Sequence, residues 1–501
     1  MNIRNRLSHG FFYIFSGRVG AGLLTVLITP IIVRVLGSGG YGDYAFALAV
    51  YSALRTVAGG GVYEGARKYI AEKASGPEKE AVFYYYLTIS ALFGTLTAAS
   101  LLVVTYIAVG RYILEPHYRT YLYIVAGMVF FHAFYHLVRS SLMGYNLEEY
   151  SEPLYVLNRV FFPIIGIPLA VVGWHVTGIL VGHLVSTMLI VLIGYGALLR
   201  YTSVTLASPR RLLPTSGMFR NPMIRYGLLN VVFVLITKSL YVTDIVLLQL
   251  FVPSEEVGYY NAALVAAEFL WFVPMALQVV LLHSASQLWA ADRTEEISDM
   301  ASTITRYTLL MTGGLAVILA VVGEIFLPLY FGTEFSASYL PMLLLLPGVV
   351  GFAVSRPIYA IGQGHGNMRG LVIATGAAAA INLIGNVLLI PPFGMYGAAV
   401  ATSLGYASMV LFHIFTARQL GFHPLKTVPL IRVALAVLLP FPVLYAIYVG
   451  LGTNISSLLL IPLIGIPLML LCARVLNAIS QQELLAGIST IRRRILPWKR
   501  A

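Results

Sequence analysis

Five charged residues lie well inside long apolar segments, and their side chains are the ones best suited to binding chemistry: Arg18, Arg55, Lys238, Asp244 and Glu268. Inserting an ionised side chain at the centre of a bilayer costs about 2.5–3.5 kcal/mol on insertion scales. We therefore expect each of these five residues to have a functional role. Arginine holds phosphate groups through paired N–H donors, and lysine acts as a point charge. The three cations therefore predict a substrate site for an anionic ligand.

The spacing of these charges places several of them on shared helix faces. Arg55 shares a face with Tyr44 and Tyr51, and Asp244 follows Lys238 on its own helix after two steps of three residues. The acids Asp244 and Glu268 are candidates for binding a coupling proton or sodium ion. The competing interpretation is a permanent ion pair of either acid with Lys238 that only orients the helices.

Long apolar segments position these residues and determine the fold class. Hydrophobic residues make up 59% of the 501 positions and charged residues 10%, against about 25% charged in a soluble domain. A spanning helix needs about 20 apolar residues, and these segments are too long and too uniformly apolar for barrel strands. The sequence predicts an all-α membrane protein with about fourteen transmembrane helices: 10–36, 41–60, 83–109, 118–143, 153–173, 176–199, 226–251, 258–282, 307–330, 339–361, 371–390, 394–416, 429–449 and 455–471.

The distribution of basic residues predicts the orientation of these helices. The net charge is +12, and lysines and arginines concentrate in alternate loops and in the carboxy-terminal tail. Cytoplasmic loops carry such an excess, so we expect both termini in the cytoplasm and read the charge as a topology signal rather than a nucleic-acid site. Arg34, Arg139, Arg159 and Arg356 are expected near helix ends, where they would reach lipid head groups.

Three short matches indicate an internal duplication. GDYA at 42–45 matches GYYNA at 258–262, RSSLMG at 139–144 matches RPIYAIG at 356–362, and TGILV at 177–181 matches YGAAV at 396–400. The offsets of 216, 217 and 219 residues are nearly constant. We predict two six-helix bundles, at 1–200 and 226–416, related by a pseudo-two-fold axis along the membrane normal. A cytoplasmic linker at 201–225, two further helices within 417–474 and a basic amphipathic cytoplasmic tail at 475–501 complete the organisation.

Other motifs give no sign of catalysis or metal binding. His132 and His136 could share a helix face, but no acid follows at a comparable spacing, so we expect no metal site. The glycine-rich stretch at 362–367 lies between two membrane segments without a preceding strand, and it predicts a tight turn rather than a phosphate loop. We expect no cofactor.

Three stretches resemble the Wzx-type polysaccharide-biosynthesis flippases of the multidrug/oligosaccharidyl-lipid/polysaccharide exporter superfamily. They are LTVLITPIIVRVLGSGGYG at 24–42, TDIVLLQLFVPSEEVGYYNAA at 243–263 and NLIGNVLLIPPFGMYGAAVATSL at 382–404. The resemblance implies two six-helix bundles in a V, alternating access, and export of a lipid-(pyro)phosphate-linked oligosaccharide. It supplies no catalytic motif to transfer, so the site residues depend on the charge argument.

The resulting hypothesis is a flippase of the cytoplasmic membrane that serves surface polysaccharide or glycoprotein assembly. We expect it to be a monomer and not an enzyme, with a polyprenyl-linked oligosaccharide, membrane lipid, a coupling ion and glycan-assembly enzymes as partners. A multidrug or cation antiporter of the same superfamily is the first alternative, and it would have an acid-dominated cavity. A membrane-embedded glycosyltransferase or ligase is the second, and it would need a carboxylate-rich loop outside the membrane.

Overall fold

The structure is a computed structural model that describes residues 3–59, 61–205 and 222–483, and within these ranges every regular element is helical. Side chains along the first part of the first helix, up to residue 19, lie outside the description. The helices are α1 (Ile3–Gly59), α2 (Val62–Glu72), α3 (Gly76–Gly110), α4 (Tyr118–Gly144), α5 (Glu148–Leu169), α6 (His175–Tyr201), α7 (Pro222–Phe251), α8 (Ser254–Glu268), α9 (Phe272–Ala290), α10 (Thr294–Phe331), α11 (Tyr339–Gly364), α12 (Met368–Gln419), α13 (Leu430–Leu438), α14 (Pro440–Leu451) and α15 (Ile455–Val475).

Three of the longest helical stretches are bent at a glycine. In α1 the bend is at Gly37, with φ 68°, and in α12 it is at Gly394, with φ 52°. Between α5 and α6 a five-residue π-helical segment carries Gly173 at φ 104°. Glycine adopts these left-handed backbone conformations without a steric penalty, which allows the chain to reverse with almost no loop.

The helical lengths agree with the predicted segments. Eleven helical stretches of the described chain are long and apolar enough to cross a membrane, and three of these contain the glycine bends. Each bent stretch covers two predicted segments, so the eleven are compatible with fourteen crossings. Large apolar side chains such as Leu27 and Leu459 are 67% and 69% exposed, as expected for surfaces that face lipid.

Small residues allow the helix backbones to touch. A Cβ added at Gly182 of α6 would lie 2.6 Å from the Cα of Gly166 in α5. At Gly348 of α11 it would lie 2.4 Å from the Cα of Ser403 in α12, whose hydroxyl accepts a hydrogen bond from the Gly348 amide at 2.9 Å. In a membrane, where apolar burial gives no drive for helix association, such close backbone contact and interhelical hydrogen bonding hold helices together.

The chain divides into two compact units, Met1–Asn261 and Ala262–Ala501. In the first unit α1 packs against α3, α4, α5, α6 and α7, and in the second α10 packs against α11, α13, α14 and α15. The boundary lies within α8, so α7 and the start of α8 belong by their contacts to the first unit. About two thirds of the predicted linker and of the predicted tail, at 206–221 and 484–501, lies outside the described residues.

Candidate functional site

Arg55 faces the interior of the first unit. It lies on α1 with Tyr44 and Tyr51, which share its face at intervals of eleven and four residues. The guanidinium carbon is 5.4 Å from the centroid of the Tyr51 ring, and the Tyr51 hydroxyl is 2.8 Å from Nδ1 of His132 on α4. Arg55 is thus held above an aromatic and histidine surface, with its charge directed away from the lipid.

Lys238 approaches the same part of α1 from α7. Its Nζ donates to the Ser52 hydroxyl at 3.4 Å, and Ser52 lies three residues before Arg55, so the two residues share one helix face. The structure therefore brings two of the three predicted cations to one turn of α1. Arg18 lies further back on α1, and its side chain is outside the described part of the chain.

Asp244 is completely buried and hydrogen-bonded within the first unit. Its Oδ1 accepts from the amide of Ile245 at 2.9 Å, and its Oδ2 accepts a hydrogen bond from the Tyr260 hydroxyl on α8. A carboxylate that receives two donors in a dry interior is stabilised in position. Asp244 is therefore a well-ordered acid six residues beyond Lys238 on α7.

Glu268 ends α8 at a break in that helix. A single 3-10 turn, Phe269–Trp271, separates it from α9, and the Tyr406 hydroxyl of α12 donates to its Oε1 at 3.4 Å. The Trp271 indole donates to the carbonyl of Val349 at 3.0 Å and packs 5.2 Å from the Tyr406 ring. This acid belongs to an aromatic cluster of the second unit, and the predicted helix at 258–282 consists of α8 and part of α9.

Arg139 corrects one expectation from the sequence. Its Nη2 lies 2.9 Å from Oε1 of Glu152, and the two side chains are only 8% and 6% exposed. Its Nε also donates to the carbonyl of Ser151 at 3.1 Å. Arg139 is thus the neutralised half of a buried ion pair between α4 and α5 and does not extend to head groups.

Asp43 is an interior carboxylate of the first unit that the sequence analysis did not single out. It is 9% exposed on α1, where its Oδ1 accepts from the Ser254 hydroxyl at 2.6 Å and from the Tyr118 hydroxyl. His117 Nε2 lies 3.3 Å from its Oδ2. One carboxylate therefore connects the starts of α4 and α8, a role that no sequence spacing reveals.

Beside Asp43, two glycines of the predicted repeat touch each other reciprocally. A Cβ added at Gly42 would lie 1.8 Å from the carbonyl oxygen of Ser254, and one added at Gly258 would lie 2.1 Å from the carbonyl oxygen of Ser38. Ser254 and Gly258 follow Ser38 and Gly42 by the same 216 positions. A contact in which each partner meets the counterpart of the other is the property of a two-fold axis.

The two histidines of α4 that were expected to share a helix face pack against each other. The rings of His132 and His136 are 4.4 Å apart in an edge-to-face arrangement. Within the described residues, no group of three or more histidine, cysteine, aspartate or glutamate side chains could hold a metal ion.

Comparison with known proteins identifies relatives along most of the chain. The family model described as polysaccharide biosynthesis protein matches residues 7–280, more than half of the 501 residues. The probable flippase AglR of Haloferax volcanii is 25% identical over 424 residues, which cover 81% of this chain and 82% of AglR. The probable low-salt glycan biosynthesis flippase Agl15 of the same organism is 30% identical over 34% of this chain. The chain matches only about a third of Agl15 and of a Methanocaldococcus jannaschii membrane protein, 36% and 32% of their lengths.

Solved structures show the same fold at low sequence identity. The lipid II flippase MurJ in an inward closed conformation gives a TM-score of 0.74 at 15% identity, covering 93% of this chain and 98% of MurJ. An inward-facing multidrug resistance MATE family transporter gives 0.64 at 14% identity, covering 79% and 94%. These likenesses confirm the predicted all-α membrane fold.

Proposed function

The chain belongs to the polysaccharide biosynthesis protein family, as its resemblance predicted, and from this premise we propose that it flips a lipid-(pyro)phosphate-linked oligosaccharide across the cytoplasmic membrane. The translocated glycan would serve surface polysaccharide or glycoprotein assembly. The observation that carries the proposal is the approach of Lys238 to the α1 turn that bears Arg55, in a chain with a probable flippase as its relative over four fifths of its length.

The two cations suit the acidic part of such a substrate. Arg55 can present paired N–H donors to a phosphoryl group, and Lys238 adds a point charge from the neighbouring helix. Because both cations are partly buried and Tyr51 beside Arg55 is buried, this attraction is stronger than it would be at a fully solvated surface. Arg18 is proposed as the third cation of the site. The polyprenyl chain would remain in the lipid while the head group and its sugars cross within the protein.

A transporter that works by alternating access needs a contact that closes one side of the protein and then opens. We propose that the contact around Asp43 closes the outer side. It joins the starts of α4 and α8, which the charge distribution assigns to the outer face. The close approach of Gly42 to Ser254 excludes any side chain from this place. We propose that both termini are cytoplasmic. Cysteines placed at Glu255 and Arg293 test this orientation, because only the first should react with an impermeant reagent added outside.

Energy for the cycle is proposed to come from an ion gradient or from the membrane potential. Moving one elementary charge through 100 mV supplies about 2.3 kcal/mol. Asp244 and Glu268 are the proposed coupling acids, one in each compact unit. Binding of a proton or a sodium ion at these carboxylates would remove or offset their negative charge and favour one state of the cycle. The protein makes and breaks no covalent bond in this scheme, so no catalytic residue or cofactor is assigned.

A multidrug or cation antiporter is the second candidate, favoured by the MATE fold likeness. An antiporter of organic cations would need an acidic cavity, whereas the α1 turn carries Arg55 and receives Lys238. An acidic substrate therefore fits this part of the first unit better. We propose that the protein acts as a monomer beside the enzymes that assemble its glycan.

Reconstituted transport tests the proposal. Purified protein in vesicles should accelerate the appearance, on the opposite leaflet, of a fluorescent polyprenyl-pyrophosphate oligosaccharide. Arg55→Gln and Lys238→Gln should each reduce the initial rate at least tenfold, because charged hydrogen bonds contribute about 1.5–3 kcal/mol. Arg67→Gln and Lys68→Gln are the matched controls, since both residues are half-exposed on α2 and pair with neighbouring glutamates. Equal rates in all four variants would contradict the proposed site, and no acceleration by the wild type would contradict the function.

A further inference from the structure

A third arginine of the first unit is used neither by the fold nor by the site predicted from the sequence. Arg159 lies at the middle of α5, with its guanidinium carbon 5.8 Å from the centroid of the Tyr155 ring. It was expected near a helix end, and its position in the helix excludes that location. Whereas Arg139 on the neighbouring helix pairs with Glu152, Arg159 has no acidic partner within ion-pair distance among the described residues.

Arg159 and Arg55 share the same neighbours. Both guanidinium groups interact electrostatically with the hydroxyl of Tyr51, with His132 and with His183. Arg55 reaches these groups from α1 and Arg159 from α5, and these two helices pack against each other. Neither arginine has a carboxylate in the described part of the chain to balance it. The positive charges of both arginines therefore act on the same group of polar side chains inside the first unit.

The register of the two helices places both arginines on facing surfaces. On α5, Arg159 shares its face with Phe162, whose ring stacks 4.0 Å from that of His183. His183 Nε2 is in turn 2.9 Å from the hydroxyl of Tyr44, which lies on the Arg55 face of α1. A continuous chain of contacts thus runs from the arginine face of α5 to the arginine face of α1.

We propose that Arg55 and Arg159 form a two-arginine oxyanion site inside the first unit, lined by Tyr44, Tyr51, His132 and His183. Two guanidinium groups offer paired N–H donors that match a phosphoryl or carboxyl group. The neighbouring hydroxyls and aromatic rings suit the polar edges and flat faces of a sugar. This inference rests on the proposed function and extends it, because it adds Arg159 as a substrate-binding residue.

The oxyanion could come from either of two parts of the substrate. A phosphoryl group of the lipid link and a carboxylate of an acidic sugar present the same oxygen geometry to a guanidinium group. The experiment therefore uses inorganic pyrophosphate as the first probe, with full-length protein in nanodiscs and heat of binding as the readout. Polyprenyl monophosphate in the nanodisc and free glucuronate are then added separately as competitors, to identify the source.

Arg159→Gln and Arg55→Gln should each weaken pyrophosphate binding roughly tenfold to a hundredfold. Arg159→Lys, which keeps the charge but loses the paired donors, should bind more tightly than Arg159→Gln and less tightly than the wild type. Arg67→Gln is the control, because it removes a half-exposed arginine of the same unit that pairs with Glu64. Gel filtration of each variant shows whether it is folded. If Arg159→Gln does not fold, the pyrophosphate affinity of Arg159→Lys relative to the wild type tests the inference.

Wild-type affinity in Arg159→Gln would overturn the inference and leave Arg55 as a single cation. Absence of saturable pyrophosphate binding by the wild type would overturn it as well. So would competition by neither polyprenyl monophosphate nor glucuronate. The proposed function is tested apart from these outcomes by wild-type flipping in vesicles. A protein that flips lipid-linked glycan at wild-type rate with Arg159→Gln would refute the two-arginine site alone.

Discussion

Replacing Gly42 by alanine should disrupt the contact at which the two predicted repeats meet. The added Cβ would lie 1.8 Å from the carbonyl oxygen and 2.7 Å from the carbonyl carbon of Ser254. Real Cβ atoms do not approach backbone so closely, and a backbone carbonyl cannot rotate away as a long side chain can. The start of α8 must therefore move away from α1, and the hydrogen bond between Ser254 and Asp43 must lengthen with it.

Two opposing effects determine how much Gly42→Ala changes the free energy of the closed contact. Overpacking a well-packed contact costs about 1–3 kcal/mol. Alanine in place of glycine inside a helix gains about 0.5–1 kcal/mol. Gly196 in α6 provides the matched control, because a Cβ there would meet nothing within 4 Å, so Gly196→Ala reports the gain alone. The difference between the two variants should thus be about 1–3 kcal/mol, which is a factor of roughly 5–150 in the population of the closed contact.

Crosslinking measures this population. A Cβ at Gly39 would lie 3.5 Å from Cγ of Glu255, so cysteines at these two positions should form a disulfide when the contact is closed. Cys472 is replaced by serine in this background, which removes the single native cysteine. Adding Gly42→Ala should slow disulfide formation at least fivefold relative to adding Gly196→Ala. Transport should fall in parallel, because the cycle loses its closed state.

A substitution at Gly258, the glycine on the other side of the contact, tests the same reasoning. Gly258→Ala should slow crosslinking to a similar extent, because its Cβ would lie 2.1 Å from the carbonyl oxygen of Ser38. The double variant should be less affected than two independent effects would predict, since both changes open one contact. Crosslinking of Gly42→Ala at the rate of Gly196→Ala would show that the contact is loose, and the proposed closure would be wrong.

Three further predictions concern charged residues within the helices. Arg139→Met should lower the free energy of unfolding by about 3–5 kcal/mol, and Glu152→Leu added to it should restore much of this loss; denaturant titration of both variants is the check. Asp244→Asn with Glu268→Gln should abolish the response of reconstituted transport to an imposed pH or sodium gradient, and full retention would make these acids structural. Arg159→Leu should raise the melting temperature of the ligand-free protein while it removes pyrophosphate binding, and a lower melting temperature would contradict an unpaired cation.

Segment boundaries could be predicted from the sequence because polar residues interrupt the apolar runs at the membrane surfaces. The predicted segment at 118–143 corresponds to α4, Tyr118–Gly144, and the segment at 455–471 lies within α15, Ile455–Val475. The continuity of α1 across Gly37 could not be predicted, because hydropathy does not distinguish a glycine bend within a helix from a short loop. For this reason fourteen predicted segments correspond to only eleven continuous helical stretches in the described chain.

The spacing of residues in the sequence could not predict which side chains contact each other across two helices. Arg139 and Glu152 are 13 positions apart, on helices whose relative rotation depends on the turn at 145–147, so their pairing follows from tertiary packing. The burial of Asp43 depends likewise on Ser254, which is 211 positions away. Arg55 and Lys238 were predicted to share a site because both are cations inside apolar segments, and only the positions of the helices could show that Arg159 shares the surroundings of Arg55.

Charge balance distinguishes the residues that are paired within the fold from the cations that we propose as ligand-binding residues. The first unit neutralises Arg139 with Glu152 and satisfies Asp43 with hydroxyl donors, and both arrangements are complete without substrate. It leaves Arg55 and Arg159 without carboxylates in the described chain. On insertion scales each unpaired cation costs about 2.5–3.5 kcal/mol, and a whole domain is stable by only about 5–15 kcal/mol. In the proposed two-arginine site an arriving anion would offset both costs, and this is the physical argument for placing the acidic part of the proposed substrate there.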